Sequence, residues 1–328
     1  MEKRATSNDV ARAAGVSQST VSFVLTGRAG ISEATRERVL RAAAELNYRP
    51  NLAARSMRTR RTGRLAVVVP VASMNPLSLI PGAVAAAQEA GYAVEVVSLP
   101  QNPGERGERL AEIVGSGQYE GVLAFTPLHT PPLDEDDPVV LSAGEFDDDM
   151  HAAGLFTDAS PIVEMMERLA AMGHTRFLHI AGPQDFPSAR ARRQAYSDSV
   201  QRLGLTSIGV VDGDWSGQTG VDAIAALPDG ILPLAVIAAN DLIATGAIQA
   251  AMSRGWSVPG DVSITGWDDH PQSAFLVPPL TTVAQDRERL GAHAMARLIA
   301  ALRGDDAPQR PADLLTIRWR ESTGAPRV

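Results

Sequence analysis

Three groups of polar side chains in this chain have the types and spacing for chemistry. Asp268, Asp269 and His270 run together after the apolar stretch VSITGW. Carboxylates beside an imidazole can ligate a metal or exchange protons. No second cluster stands at matching spacing, and an exposed turn accounts for the three equally well. Residues 145–151, EFDDDMH, read as a solvated acidic loop in preference to a metal site. Asn240 also follows an apolar run, LAVIAA, so Asn240 and Asp268 are both expected at strand ends. The third group is Ser17, Gln18, Ser19, Thr20, Ser22 and Phe23. Short hydroxyl and amide side chains on one segment can hydrogen-bond base edges and phosphates.

Other chemistries are excluded. There is no cysteine, hence no disulfide framework, no thiolate-held zinc or iron–sulfur cluster and no thiol nucleophile. No G-x-G-x-x-G follows a strand, and there is no P-loop lysine motif and no G-x-S-x-G elbow. No catalytic residue, metal ligand or cofactor is therefore assigned. The first twelve residues are polar and charged and lack the apolar core of a signal peptide. Apolar runs such as residues 65–71 fall far short of a bilayer span. A cytoplasmic chain with no membrane partner is expected.

The formal charge of −8 conceals a division. Residues 1–64 hold 13 of the 30 basic side chains and 5 of the 38 acidic ones, a balance of +8. The remaining 17 basic and 33 acidic residues give −16. An acidic body with a basic head suggests that only the head meets a polyanion.

The elements that position these groups can be read locally. Thr6 can cap a first helix, with Asp9 three residues on and near the positive end of the helix dipole. Val10, Ala11 and Ala14 share one face of it, and Gly15 permits a tight turn. Ser17 can cap a second helix buried through Val21, Val24 and Leu25. The spacing is that of a helix-turn-helix, with Gln18, Ser19, Thr20, Ser22 and Phe23 facing outward. A third helix is expected from Ser32 to Leu46, ended by Asn47 and Pro50. Next, Asn51 can cap a short helix carrying Leu52, Ala53, Ala54 and Met57, too short and basic to be stable alone.

From residue 65 strands and helices alternate, as in RLAVVVP, then IPGAVAAAQEAGYAVEVVSLP. The pattern restarts after Asp158 with helices over 160–172, 188–203, 217–226 and 242–253. This implies two doubly wound parallel sheets joined near residue 157, with a cleft at their strand ends. The chain is expected to cross between the two subdomains near residues 157, 283 and 315.

DVARAAGVSQSTVS, ISEATRERVLRAAAELNYRPN and LAARSMR closely resemble the DNA-binding headpiece of the lac repressor family. SARARRQAY, GDWS, AANDLIATGAIQA, PGDVSITGWDD and PPLTTVAQD extend the resemblance over nearly the whole chain. It implies an all-α helix-turn-helix headpiece on an α/β periplasmic-binding-protein-like core of two doubly wound parallel-sheet subdomains. The boundaries follow as headpiece 1–49, hinge 50–64, and effector-binding and dimerisation domain 65–328. The implied partners are double-stranded operator DNA, a sugar-like effector and a second copy of the chain. The DNA contacts carried over are Thr6, Ser17, Gln18, Ser19, Thr20, Ser22 and Phe23, with Asn51, Ala54, Arg55 and Met57 in the hinge. Met57 would wedge into the minor groove, where the family usually has leucine. The effector contacts carried over are Arg192, Trp215, Asn240 and Asp268. That set suits a polyol: carboxylate and amide for hydroxyl pairs, Arg for ring oxygens, Trp for the apolar sugar face.

Several positions depart from the family. Ala143 stands where an aspartate often holds the sugar, and Phe125 where some members place a polar contact. The first subdomain's half of the cleft is therefore less sugar-like. Phe23 stands where arginine is frequent. No heptad-patterned extension follows RESTGAPRV, so a dimer is expected and not a coil-built tetramer. The competing readings are an enzyme on the same fold, distinguished by turnover of candidate sugars, and a transport receptor, distinguished by an export signal. The reading favoured is an effector-controlled transcriptional repressor.

Overall fold

The computed structural model describes residues 5–25, 30–48, 62–70, 76–128, 138–144, 146–151 and 153–327. Asn51, Ala54, Arg55 and Met57 lie outside the described residues. The chain divides into two compact units between Thr62 and Gly63.

The first unit holds α1 (Ser7–Ala14), α2 (Gln18–Leu25) and α3 (Glu33–Glu45). Thr6 and Asp9 form a reciprocal capping box, and Gly15 ends α1 in the left-handed region at φ 64°. Ser32 caps α3 by accepting from the Thr35 amide at 3.4 Å. Val10, Ala11, Ala14, Val21, Val24, Val39, Ala42 and Ala43 form one core. Small side chains let three short helices pack closely.

The second unit contains two parallel four-stranded sheets. The first comprises β1 (Arg64–Pro70), β2 (Ala93–Leu99), β3 (Gly121–Ala124) and β4 (Val139–Ser142) in the order β2-β1-β3-β4. Helices α4 (Ile80–Glu89) and α5 (Pro103–Gly115) link its strands. The run RLAVVVP is apolar throughout because both its faces are covered. Leu65, Val67 and Val69 face one core with Ala83 and Ala87 of α4, whereas Ala66 and Val68 face Leu110, Ile113 and Val114 of α5.

The second sheet comprises β5 (Arg176–Ile180), β6 (Thr206–Val211), β7 (Leu234–Ala238) and β8 (Val262–Thr265) in the order β6-β5-β7-β8. Helices α6 (Ser160–Ala171), α7 (Pro187–Leu203), α8 (Gly217–Ala225) and α9 (Asp241–Ser253) cover it. Phe177 packs toward Ile162, Met165 and Tyr196, whereas Leu178 and Ile180 pack toward Ala223, Ile224 and Ile243. The alternating strand–helix reading is thus realised as two doubly wound sheets.

Three elements escaped the sequence reading: β9 (Thr282–Gln285), α10 (Arg287–Arg303) and β10 (Leu315–Arg318). They join the two subdomains. β9 pairs antiparallel with β10, Thr282 facing Arg318. Between them α10 crosses back to the first subdomain, where Met295 and Leu298 enter its core. Gly82 of α4 and Gly291 of α10 have no room for a Cβ, which would meet the carbonyls of Glu288 and Leu79. The two helices therefore meet backbone to backbone.

Candidate functional site

In the head, the hydroxyls of the turn organise the second helix. Ser17 Oγ accepts from the Thr20 amide at 3.1 Å and bonds Ser19 and Thr20 hydroxyls at 2.7 and 2.8 Å. Gln18 Nε2 donates to Ser7 Oγ at 2.8 Å and so ties α2 to α1. Thr6, Ser17, Gln18 and Ser19 are exposed, Thr20 and Ser22 are half-buried, and Phe23 is 38% exposed. The partly exposed Phe23 ring stands between half-buried Ser22 and buried Val24. The arrangement presents the N-terminal half of α2, its hydroxyls and one ring together.

Within the second unit, a cavity of about 210 Å³ opens where strand ends meet the first crossing. Its lining includes Arg192, Trp215, Asn240 and Asp268, so the four sequence-selected residues are brought together. Phe156, Phe186, Ser188, Gln285 and Arg287 complete it. Asn240 follows β7 and caps α9: its Oδ1 accepts from the Ile243 amide at 2.8 Å. Its Nδ2 donates to the Trp215 carbonyl at 3.0 Å. Arg192 projects from α7, is 5% exposed, and donates to the Ala239 carbonyl at 2.6 Å. Its guanidinium lies 4.1 Å from the Trp267 ring centroid and 5.8 Å from that of Trp215. Burial pulls its pKa down to about 10, partly offset by the negative charges of Asp268 and Asp241.

Backbone strain gathers here. Trp215 has φ 68°, Asp268 φ 111° and Asp269 φ 49°, a region unfavourable for non-glycine residues. Gly182 has no room for a Cβ because the Trp215 ring lies over it. Phe186 meets Trp215 edge to face at 5.6 Å. Asp268 accepts from Arg287 at 3.2 Å, whereas Asp269 pairs with Arg320 at 2.6 Å and thereby anchors the chain's end. Asp269 and His270 are absent from the cavity lining, so the Asp-Asp-His run is divided between two tasks. Behind it Asp241 accepts from Ser273 Oγ at 2.6 Å, from the His270 amide at 2.8 Å and from Thr282 Oγ1. Burial raises the Asp241 pKa, against the opposing effect of these donors.

Phe125 and Ala143 are buried and line a separate cavity in the first subdomain, together with His293, Arg297 and Arg310. They do not line the cleft cavity. Residues 146–151 of the acidic loop are described: Asp147 Oδ2 lies 3.5 Å from His151 Nδ1, and the His151 ring meets that of Phe186 at a tilt, with 4.0 Å between centroids. Among the described residues no group of three His, Asp or Glu side chains has the arrangement of a metal site. Sequence reasoning missed Phe156, Phe186, Ser188, Gln285 and Arg287. Gln285 and Arg287 flank the Asp286 cap of α10, and that cap was the one available signal.

Residues 6–51 match the model of bacterial regulatory proteins of the lacI family, and residues 166–323 match the periplasmic binding protein-like domain. The lactose operon repressor of Escherichia coli strain K12 is 31% identical, across 99% of this chain and 92% of its own length. The chain belongs to the lacI family. It is a transcriptional regulator and not an enzyme. The ribose operon repressor of the same strain is 34% identical, across 90% of this chain and 92% of that protein. A crystal structure of the lac repressor dimer bound to operator and the anti-inducer ONPF superposes with a TM-score of 0.73 at 27% identity, covering 98% and 100% of the two chains. The complex of the regulator CelR with cellobiose gives 0.60 at 29% identity, covering 97% and 100%. No helix among the described residues is long and apolar enough to cross a membrane.

Proposed function

We propose that this lacI-family protein is a cytoplasmic repressor that binds a pseudo-palindromic operator as a homodimer and responds to a sugar or related polyol. The observation that carries the effector half is the convergence of Arg192, Trp215, Asn240 and Asp268 on one cavity. Two similar proteins of known structure in complex with small molecules, the lac repressor with ONPF and CelR with cellobiose, share this fold.

For DNA, α2 is assigned to the major groove, with Ser17, Gln18, Ser19, Thr20, Ser22 and Phe23 facing bases and phosphates and Thr6 a phosphate. Asn51, Ala54, Arg55 and Met57 are assigned on sequence alone to a hinge reading the minor groove. The headpiece is taken as 1–49, the hinge as 50–64 and the effector-binding domain as 65–328.

A second copy of the chain has a face to occupy. Phe275 and Val277 are 85% and 77% exposed, and Leu242 is 52% exposed. Asp241 holds the segment bearing Phe275 against the start of α9 through Ser273 and His270, so the exposed apolar residues sit on neighbouring segments of the second subdomain. Such a patch on a soluble chain fits an interface.

The test is a titration of the full chain onto DNA obtained by binding-site selection, with and without a sugar and polyol panel. A ligand whose binding changes DNA affinity, and which Asp268→Ala no longer senses, supports the reading. A ligand that retains full affinity for both Asp268→Ala and Asn240→Ala overturns the cleft assignment.

A further inference from the structure

Among the described residues that line the cleft cavity, cations outnumber carboxylates, and Asp241 lies behind them outside the lining. The cavity's described ionised lining groups are Arg192, Arg287 and Asp268. The single carboxylate is already engaged by Arg287 at 3.2 Å. Arg287 is held by neutral groups as well: its Nε and Nη2 donate to Gln285 Oε1 at 3.0 and 2.8 Å, and its Nη1 donates to Ser78 Oγ at 3.3 Å. Arg192 forms no ion pair among the described residues. It has one carbonyl acceptor and two indole faces, and its buried Nε has no hydrogen-bond partner. A guanidinium so buried, on which Asp268 and Asp241 act only at a distance, gains from an anion that reaches it directly. Arg192 also feels the like charge of Arg287, which places both cations in one field. The apolar part of the lining is aromatic: Phe156, Phe186 and Trp215.

Resting on the reading that this cleft takes the effector, we infer that the effector is a sugar derivative bearing an anionic group, a carboxylate or a phosphate, received by Arg192 and Arg287. Both anions suit the planar guanidinium fork. The sugar ring lies against Trp215 and Phe186, and its hydroxyls meet Asp268 and Asn240. A neutral polyol would meet the buried Arg192 guanidinium without the charge-assisted bond that an anionic oxygen supplies.

Calorimetry of the full chain with D-glucuronate, glucose 6-phosphate, glucose and sorbitol tests the inference. At least one anion should bind about tenfold or more tightly than glucose, since charge-assisted hydrogen bonds carry that margin. Glucuronate and glucose 6-phosphate distinguish a carboxylate from a phosphate. Arg287→Gln should erase the margin from both sides, weakening the anion and freeing Asp268 for neutral hydroxyls. Arg287→Lys should retain part of it and, like the wild type, give a folded circular dichroism spectrum. Glucose or sorbitol binding as tightly as the anions, or a margin that survives Arg287→Gln, overturns the anionic class and leaves the cleft reading standing. No binding by any of the four, or binding that Trp215→Ala leaves unchanged, overturns both.

Discussion

The side-chain amide of Asn240 ties together two strand-end segments on the second subdomain's side of the cleft: it donates to the Trp215 carbonyl at 3.0 Å while its oxygen caps α9 at 2.8 Å. Trp215 sits in the left-handed region at φ 68°, so this bond helps hold a conformation its side chain disfavours. Asn240→Ala removes the cap and the donor together. It should lower unfolding free energy by roughly 1–2 kcal/mol, the usual cost of a lost N-cap. Urea unfolding measures that cost, and indole fluorescence reports whether Trp215 has moved.

Gly182 tests the same ring from below. A methyl group there would collide with Trp215. Gly182→Ala should therefore abolish ligand binding while DNA binding by the separate head persists. Unaltered ligand affinity in calorimetry would show that the Trp215 ring does not form the ligand's floor.

Buried histidine makes the second unit acid-sensitive. His179 is fully buried, stacks on Tyr196 at 5.2 Å, and is held near a pKa of about 4, chiefly by desolvation. Its ordinary value is 6.5. The unfolded chain thus binds the proton first. The histidine's contribution is fully present above about pH 6.5 and is lost as pH falls toward 4, a change on the order of 3 kcal/mol. His179→Asn should flatten the stability profile over that window, as measured by unfolding at a series of pH values. Unchanged curvature would remove His179 as the cause.

The apolar face predicts assembly. Replacing Phe275 and Val277 together by Glu should weaken dimerisation and lower operator affinity, with little change in thermal stability of the monomer. Sedimentation velocity reads the first effect. A double variant that remains dimeric would place the interface elsewhere.

Much of the head was legible because its signals are local. Thr6, Asp9, Gly15 and Ser17 act on backbone groups within a few residues, and the Val21 and Val24 spacing follows from helical geometry. The strands were legible because two-sided burial leaves continuous apolar runs such as LAVIA. β9, α10 and β10 were not. Their roles arise from pairing across about thirty residues and from packing of α10 on the other subdomain, which local periodicity does not encode. Arg287 was missed for the same reason, since its significance lies in reaching Asp268 from the far side of the crossing. Phe125 and Ala143 were read as cleft positions by resemblance. The structure places them in another cavity, where Leu290 and Ala294 of α10 pack beside them.

The central claim, that residues of α2 read an operator with two-fold symmetry, is tested most directly by selecting binding sites for the full chain from random duplex DNA. The account predicts enrichment of a pseudo-palindrome whose half-sites lie about one helical turn, or a multiple of it, apart. It also predicts thymine opposite Phe23, whose ring can contact the thymine methyl but cannot donate to guanine. Repeating the selection with Phe23→Arg should shift that one position toward guanine by roughly 1–3 kcal/mol and leave the others unchanged. Selected sequences without two-fold symmetry, or identical preferences at every position for both proteins, would contradict it.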